Sequence, residues 1–138
     1  MVKAVIEMPK GTRYKYELNN NILVLDRPIK EAVPHNYGYI PGTISNDGDP
    51  SDVFIASLEP IPPRTVLELD IVGIINSEDD KGDDPKYLAY VKDDEYSKKQ
   101  INITEFVNEC LFYLKNYKEG VKIGEVVLGD FNPHEDKV

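Results

Sequence analysis

Hydrophobic and polar residues alternate along the first two thirds of the chain, which is the pattern of β-strands with one buried face. In residues 2–7, for example, Val2, Ala4 and Ile6 fall on one side of an extended chain. The same pattern predicts further strands at residues 15–18, 22–25, 53–56, 65–75, 86–91 and 121–128, with a turn at 19–21. Short strands separated by Gly and Pro are typical of small barrels and sandwiches.

Beyond residue 100 the hydrophobic period changes to about 3.6 residues, which predicts one helix. Its apolar stripe consists of Ile103, Phe106, Val107, Cys110, Leu111, Leu114 and Tyr117. Asn102 followed by Glu105 resembles a capping box, and Gly120 suits a C-terminal stop. We therefore predict a mainly β fold with helices (α+β), in which a single helix docks on a small barrel.

The composition indicates one soluble globular domain that covers residues 1–138. Hydrophobic residues make up 41% and charged residues 30%, and no apolar run is long enough for a membrane span. Glu7 and Pro9 interrupt the N-terminal apolar stretch, so we expect no signal peptide. Cys110 is the single cysteine, which excludes an intrachain disulfide. Together these features favour the cytoplasm.

The net charge of −9 argues against nucleic acid as a partner, because its phosphate backbone needs a basic surface. An anionic substrate is also repelled at long range. Such a substrate would have to arrive with metal ions or meet a local cluster of cations.

An acidic segment runs from Asp47 to Asp52 with the sequence DGDPSD. Alternate residues of an extended segment share a face, so Asp47 and Asp49 can point the same way, and Asp52 opens an apolar strand. Carboxylates held this close favour a divalent cation such as Mg²⁺, which prefers oxygen ligands. Asp, Gly and Pro are also the ordinary composition of a solvated turn. An EF-hand is excluded, because Asp52 stands where that loop requires glycine.

A second acidic segment lies at residues 78–86. Alone it would be a solvated loop, but together with the first segment it could bracket two metal ions, as metal-assisted phosphoryl hydrolysis requires. Lys15, Arg27, Lys86 and Lys118 could hold phosphates. Each also has a simpler explanation; Lys118, for instance, could complement the C-terminus of the helix.

These segments resemble those of family I soluble inorganic pyrophosphatases. The similar stretches follow the order of the family over nearly the whole chain and comprise residues 5–9, 15–17, 25–27, 34–41, 47–53, 72–73, 79, 84, 86 and 117–118. The resemblance implies a five-stranded OB-like barrel with flanking helices. It also implies hydrolysis of inorganic diphosphate to two phosphates by in-line attack of water, with several Mg²⁺ ions or with Mn²⁺ or other divalent ions in their place.

The resemblance further implies a role for each matching side chain. The implied metal ligands are Asp47, Asp52, Asp79 and Asp84, together with Glu7 and Glu17, which act largely through water. The implied phosphate-binding groups are Lys15, Arg27, Lys86, Tyr117 and Lys118. Asp49 corresponds to the general base and Tyr37 to a hydroxyl on the side of the nucleophile. The chain departs from the family at Val33, where many members have an active-site tyrosine.

Two other classes of function are weighed against this enzyme. One is a non-catalytic module that binds divalent metals or anions on the same fold. The other is nucleic-acid binding on an OB-like face, which the negative charge disfavours. The resemblance leaves the number of subunits open, with a homo-oligomer among the expectations.

Overall fold

The computed structural model describes residues 2–19, 22–28, 31–44 and 48–135, with the backbone alone at 14–19 and 23–28. These residues form nine strands and two helices. The strands are β1 Val2–Met8, β2 Tyr14–Asn19, β3 Ile22–Pro28, β4 Asn36–Ile40, β5 Ser51–Ala56, β6 Val66–Asp79, β7 Gly82–Asp83, β8 Lys86–Val91 and β9 Lys122–Leu128. The helices are α1 Glu95–Gln100 and α2 Ile103–Asn116.

Five strands pair in a closed ring in the order β1, β4, β5, β8, β6, with β6 returning to β1. The β5–β8 pairing is parallel and the other four are antiparallel. Strands β7 and β9 both pair with β6, whereas β2 and β3 form a separate hairpin. The predicted mainly β fold, a five-stranded barrel with a docked helix, is confirmed.

Two hydrophobic cores follow from the alternation of side chains along the barrel strands. The first lies inside the ring and contains Ala4, Ile6, Ile40, Val53, Ile55, Leu69, Ile71, Tyr87 and Ala89. The second lies between the outside of the barrel and α2 and includes Val33, Phe54, Ala56, Leu88, Phe106, Cys110, Tyr113 and Leu114. Neighbouring residues of β5 therefore support different cores, and this strand is buried on both faces.

Strand β1 passes from one core to the other through an irregularity. Its register with β4 shifts between Ile6 and Met8, so Ile6 packs inside the ring and Met8 packs in the second core. Glu7 lies half-buried at this bulge. Gly38 of β4 is needed nearby, because a Cβ atom there would overlap the carbonyl oxygen of Val5. Such bulges re-aim side chains along a strand.

Helix α2 carries the predicted stripe on the second core, and Tyr113 joins it. The side chain of Asn102 caps its N-terminus by accepting a hydrogen bond from the Thr104 amide at 2.7 Å. The helix ends at Asn116, so the predicted stop at Gly120 is wrong; that glycine, with φ +84°, lies in the turn that follows. Among the described residues no helix is long and apolar enough to span a membrane.

Three elements differ from the sequence prediction. Strand β4 was not predicted, because it is short and contains Gly38. Helix α1 makes the prediction of a single helix wrong; it is mostly polar, buries only Ser97 and depends on the Asp94 side chain, which accepts a hydrogen bond from the Ser97 amide at 3.1 Å. The predicted loop after β6 is instead a hairpin, since β6 continues to Asp79 and pairs with β7.

Two sequence predictions have no structural outcome. The predicted turn at 19–21 falls partly outside the described residues. The single domain over 1–138 stays a prediction.

Candidate active site

Strands β5 and β8 place an aspartate and a lysine side by side at one end of the barrel. Asp52 and Lys86 are register partners in the parallel pairing. The Nζ atom of Lys86 lies 2.7 Å from Oδ2 of Asp52 and 2.7 Å from Oδ2 of Asp84, and the lysine side chain is only 3% exposed. The first and second acidic segments therefore meet at one buried ammonium group.

The surroundings of Lys86 fix its charge. Burial alone would lower the pKa of Lys86, because an ammonium group is less well solvated in the interior. The attraction of Asp52 and Asp84 outweighs this effect and raises the pKa above its ordinary value. The lysine is therefore positively charged, and both carboxylates are held towards it.

Tyr37 of β4 supports the same cluster. Its hydroxyl donates a hydrogen bond to Oδ2 of Asp52 at 2.6 Å, and its ring centroid lies 5.7 Å from Nζ of Lys86. Burial and the negative charge of Asp52 raise the pKa of Tyr37 well above its usual value. The phenol therefore stays protonated and acts as a donor that orients the Asp52 carboxylate.

The β6–β7 hairpin carries a second ion pair. Oδ2 of Asp79 lies 3.2 Å from Nζ of Lys118, which follows α2 in the chain, and Oδ1 of Asp79 accepts a hydrogen bond from the Lys81 amide at 2.9 Å. Burial opposes ionisation of Asp79, but the Lys81 amide and Lys118 outweigh it and lower the pKa of the carboxyl. The hairpin is thereby linked to the end of the helix.

Aromatic side chains connect α2 with the cluster. The Tyr37 ring packs edge-on against Phe54 at 4.9 Å, and Phe54 contacts Tyr113 at 6.0 Å between centroids. Tyr113 stacks on Tyr117 at 4.8 Å, and Nζ of Lys118 lies 5.4 Å from the centroid of the Tyr117 ring. The second core thus positions the residues that follow the helix beside the barrel end.

The remaining predicted residues that the structure describes lie in β1, in the segment before β5 and in the β2–β3 hairpin. Glu7 lies beside Tyr39, whose pKa is raised by burial and by the charge of Glu7. Asp49 is exposed in the segment before β5. The backbones of Lys15 and Arg27 are register partners in the β2–β3 hairpin. The side chains of Lys15, Glu17 and Arg27, and the whole of Asp47, lie outside what the structure describes.

The donor chemistry of the cluster fits a divalent cation. Asp52 and Asp84 each direct Oδ2 at Nζ of Lys86, and the carboxylate oxygens that these two residues carry are the ligands that Mg²⁺ prefers. Within the described ranges no three His, Cys, Asp or Glu side chains gather in a metal-binding arrangement. Asp47, the further acid of the predicted ligand set, is outside those ranges.

Two residues have observed positions that the sequence did not indicate. Ser77 of β6 donates a hydrogen bond from its hydroxyl to the carbonyl oxygen of Asp84 at 2.6 Å. A single serine in a strand gives no signal of such a contact in the sequence. Val33, at the position of the family's tyrosine, is fully buried in the second core.

Comparison with known proteins gives a consistent result. The family model of inorganic pyrophosphatase matches residues 4–135. Soluble inorganic pyrophosphatase 2 of Chlamydomonas reinhardtii is 35% identical over 137 residues, which cover 94% of this chain and 71% of that protein. Inorganic pyrophosphatase of Nanoarchaeum equitans is 42% identical over 90 residues, which cover 64% of this chain and 56% of that relative. The crystal structure of inorganic pyrophosphatase from Thermus thermophilus superposes with a TM-score of 0.82 at 30% identity, covering 91% of this chain and 81% of that one.

Proposed function

The chain belongs to the inorganic pyrophosphatase family, and we propose that it hydrolyses inorganic diphosphate to two phosphates. One observation carries the proposal: carboxylates from two acidic segments converge on the buried Lys86, beside the hydroxyl of Tyr37. A cluster of both charges at a barrel end suits a substrate that is itself an anion bound with cations.

We propose Mg²⁺ as the cofactor, with Mn²⁺ or another divalent ion as a substitute. Asp52, Asp79 and Asp84 would hold the ions together with Asp47, and Glu7 and Glu17 would act on them through water. When bound, the ions would neutralise charge on the phosphate oxygens and lower the pKa of a coordinated water. The net charge of −9 is compatible with a substrate that binds as a metal complex.

The protein's own side chains would bind and orient the reactants. The proposed phosphate-binding groups are Lys15, Arg27, Lys86, Tyr117 and Lys118. Water attacks one phosphorus in line, the bond to the bridging oxygen breaks, and the other phosphate leaves. Asp49 would accept the proton of the attacking water, while Tyr37 holds the carboxylate of Asp52 in place. Catalysis would come mainly from positioning and charge neutralisation.

We further propose that the protein acts in the cytoplasm as one domain over residues 1–138, as a monomer or homo-oligomer. The acidic composition supports a small-molecule substrate over nucleic acid.

Phosphate release from diphosphate tests this function. We expect release with Mg²⁺ between pH 6 and 9, and none once EDTA is added. Binding of Mg²⁺ without any phosphate release would favour the non-catalytic metal- or anion-binding module. Absence of release with both Mg²⁺ and Mn²⁺ over the whole pH range contradicts the proposed hydrolysis.

The role of Asp49 is tested by Asp49→Asn. The residue is exposed, so folding and metal binding should change little, while turnover should slow by about 10²-fold or more, as expected for a lost general base. Asp52→Asn should instead weaken metal binding first. Full activity of Asp49→Asn would mean that another group accepts the proton.

A further inference from the structure

Asp84 stands where the β6–β7 ladder ends. Its amide donates a hydrogen bond to the carbonyl oxygen of Ser77 at 2.8 Å, one residue beyond the end of β7. Pro85 follows, and because proline has no amide hydrogen it cannot continue the ladder. A further contact to β6 would help to fix the backbone of Asp84 before β8 begins.

The hydroxyl of Ser77 supplies this contact. It donates to the carbonyl oxygen of Asp84 at 2.6 Å, and the serine is 8% exposed. Both backbone polar groups of Asp84 thus bond to one residue of β6. The tip of the hairpin is exposed, and these two bonds hold the backbone of Asp84 against β6.

We propose that Ser77 is a positioning residue. It fixes the backbone of Asp84 and thereby orients the Asp84 carboxylate, which is a proposed ligand of Mg²⁺. This inference rests on the proposed function. With the backbone fixed, the Asp84 carboxylate is limited to a few rotamers, among them the one that lies 2.7 Å from Nζ of Lys86. Partners of metal ligands commonly contribute 10- to 100-fold in metal affinity.

A cavity beside Ser77 makes the inference testable by substitution. The cavity has a volume of about 370 Å³ and is lined by Ser77, Asp83, Pro85 and Ile123, among others. A β-branched side chain at residue 77 therefore has room for its extra methyl group and suits a strand. Once the hydroxyl is lost, water in the cavity could hydrogen-bond to the Asp84 carbonyl oxygen. Such a variant would then lose the precise position of Asp84 and keep the folded hairpin.

The matched pair is Ser77→Val and Ser77→Thr, which have nearly the same shape and differ in the hydroxyl. For Ser77→Val we expect Mg²⁺ affinity without diphosphate to fall about tenfold, measured by calorimetric titration. The Asp84 amide should also exchange hydrogen faster in the metal-free protein. For Ser77→Thr we expect values close to those of the wild type. At saturating Mg²⁺, kcat of Ser77→Val should recover while the Mg²⁺ concentration for half activation stays raised.

Ser97→Ala serves as the control for a buried serine elsewhere. Ser97 is 4% exposed in α1, and its loss should lower the melting temperature without changing Mg²⁺ affinity. If Ser77→Val does not fold, Ser77→Ala gives the same comparison with a smaller side chain. Equal Mg²⁺ affinity and equal Asp84 exchange in Ser77→Val and Ser77→Thr would overturn the inference even where the wild type hydrolyses diphosphate. A wild type that neither binds Mg²⁺ nor releases phosphate would instead overturn the proposed function, and with it this role of Ser77.

Discussion

Strands β5 and β8 and the β6–β7 hairpin both contribute acids to the candidate active site, but they hold them differently. Asp52 and Lys86 sit opposite each other on paired barrel strands, and the residues that follow them in both strands are buried. Asp79 and Asp84 flank an exposed turn and depend on individual contacts to Lys118 and Ser77. The strand side is thus fixed by the fold, whereas the hairpin side is fixed by a few hydrogen bonds. A substitution in β5 or β8 should therefore disrupt the site as a whole. A substitution that affects the β6–β7 hairpin should leave the site formed, with its acids less precisely placed.

Lys86→Met should have the largest effect, because it removes a charge that pairs with acids of both regions. Leaving Asp52 and Asp84 without their buried partner should lower the free energy of unfolding by about 3 kcal/mol, measured by urea denaturation without metal. Diphosphate hydrolysis should fall by about 10²-fold or more. Added Mg²⁺ should restore part of the stability, since a bound cation can replace the lost charge.

Lys92→Met is the control for this change, because Lys92 is 45% exposed and its nearest acid, Glu68, is 3.7 Å away. It should leave both stability and hydrolysis nearly unchanged. If Lys86→Met behaved like Lys92→Met, the strand side would not be the fixed part of the site.

Lys118→Gln should have a smaller effect, confined to the hairpin side. It removes the ion pair with Asp79, which is partly exposed, so the free energy of unfolding should change by less than about 1 kcal/mol. KM for diphosphate should rise about tenfold through the loss of one charge-assisted hydrogen bond, with a smaller change in kcat. Steady-state kinetics at saturating Mg²⁺ measure both. Lys115→Gln, in the exposed last turn of α2, is the control; a similar rise in KM there would point to general electrostatics.

The contrast between the two regions also explains what could be predicted from the sequence. The stripe on α2 and the barrel strands β1, β5, β6 and β8 were predictable, because burial leaves a pattern of apolar residues in the sequence. The meeting of Asp52 with Asp84 was not, since it depends on the parallel pairing of strands far apart in the chain. The resemblance to a family supplied that expectation, whereas each acidic segment taken alone favoured a solvated turn or loop.

Local contacts without a periodic signal were missed. Gly38 is in β4 because the backbone of β1 comes too close for a side chain, and this looks like a turn residue in the sequence. Ser77 belongs to no motif; its hydroxyl donates to the carbonyl oxygen of Asp84, immediately before Pro85. Val33 shows the reverse case: a position that the family relates to the active site is occupied by a core residue here.

His35→Gln should have the smallest effect. It tests the packing between α2 and the residues that precede β4. His35 precedes β4 and is buried under α2, 4.6 Å from the Phe106 ring, with Nε2 3.4 Å from Oε1 of Glu109. Burial lowers the pKa of His35 below the ordinary histidine value of about 6.5; the negative charge of Glu109 opposes this shift, and the positive charge of Lys10 adds to it. The unfolded chain therefore takes up a proton at a higher pH than the folded protein does. Stability should fall as the pH drops through about 6.5 and level off below the pKa of the folded state.

Melting temperatures between pH 7.5 and 5 measure this dependence. In His35→Gln the slope around pH 6 should be shallower, because the group that takes up the proton on unfolding is gone. His134→Gln, at the other histidine of the chain, which is exposed, is the matched control variant. Hydrolysis at pH 7.5 should be similar in His35→Gln and the wild type, because His35 supports the core and not the hairpin. An unchanged slope in His35→Gln would mean that the buried ring is not what couples folding of the strand side to pH.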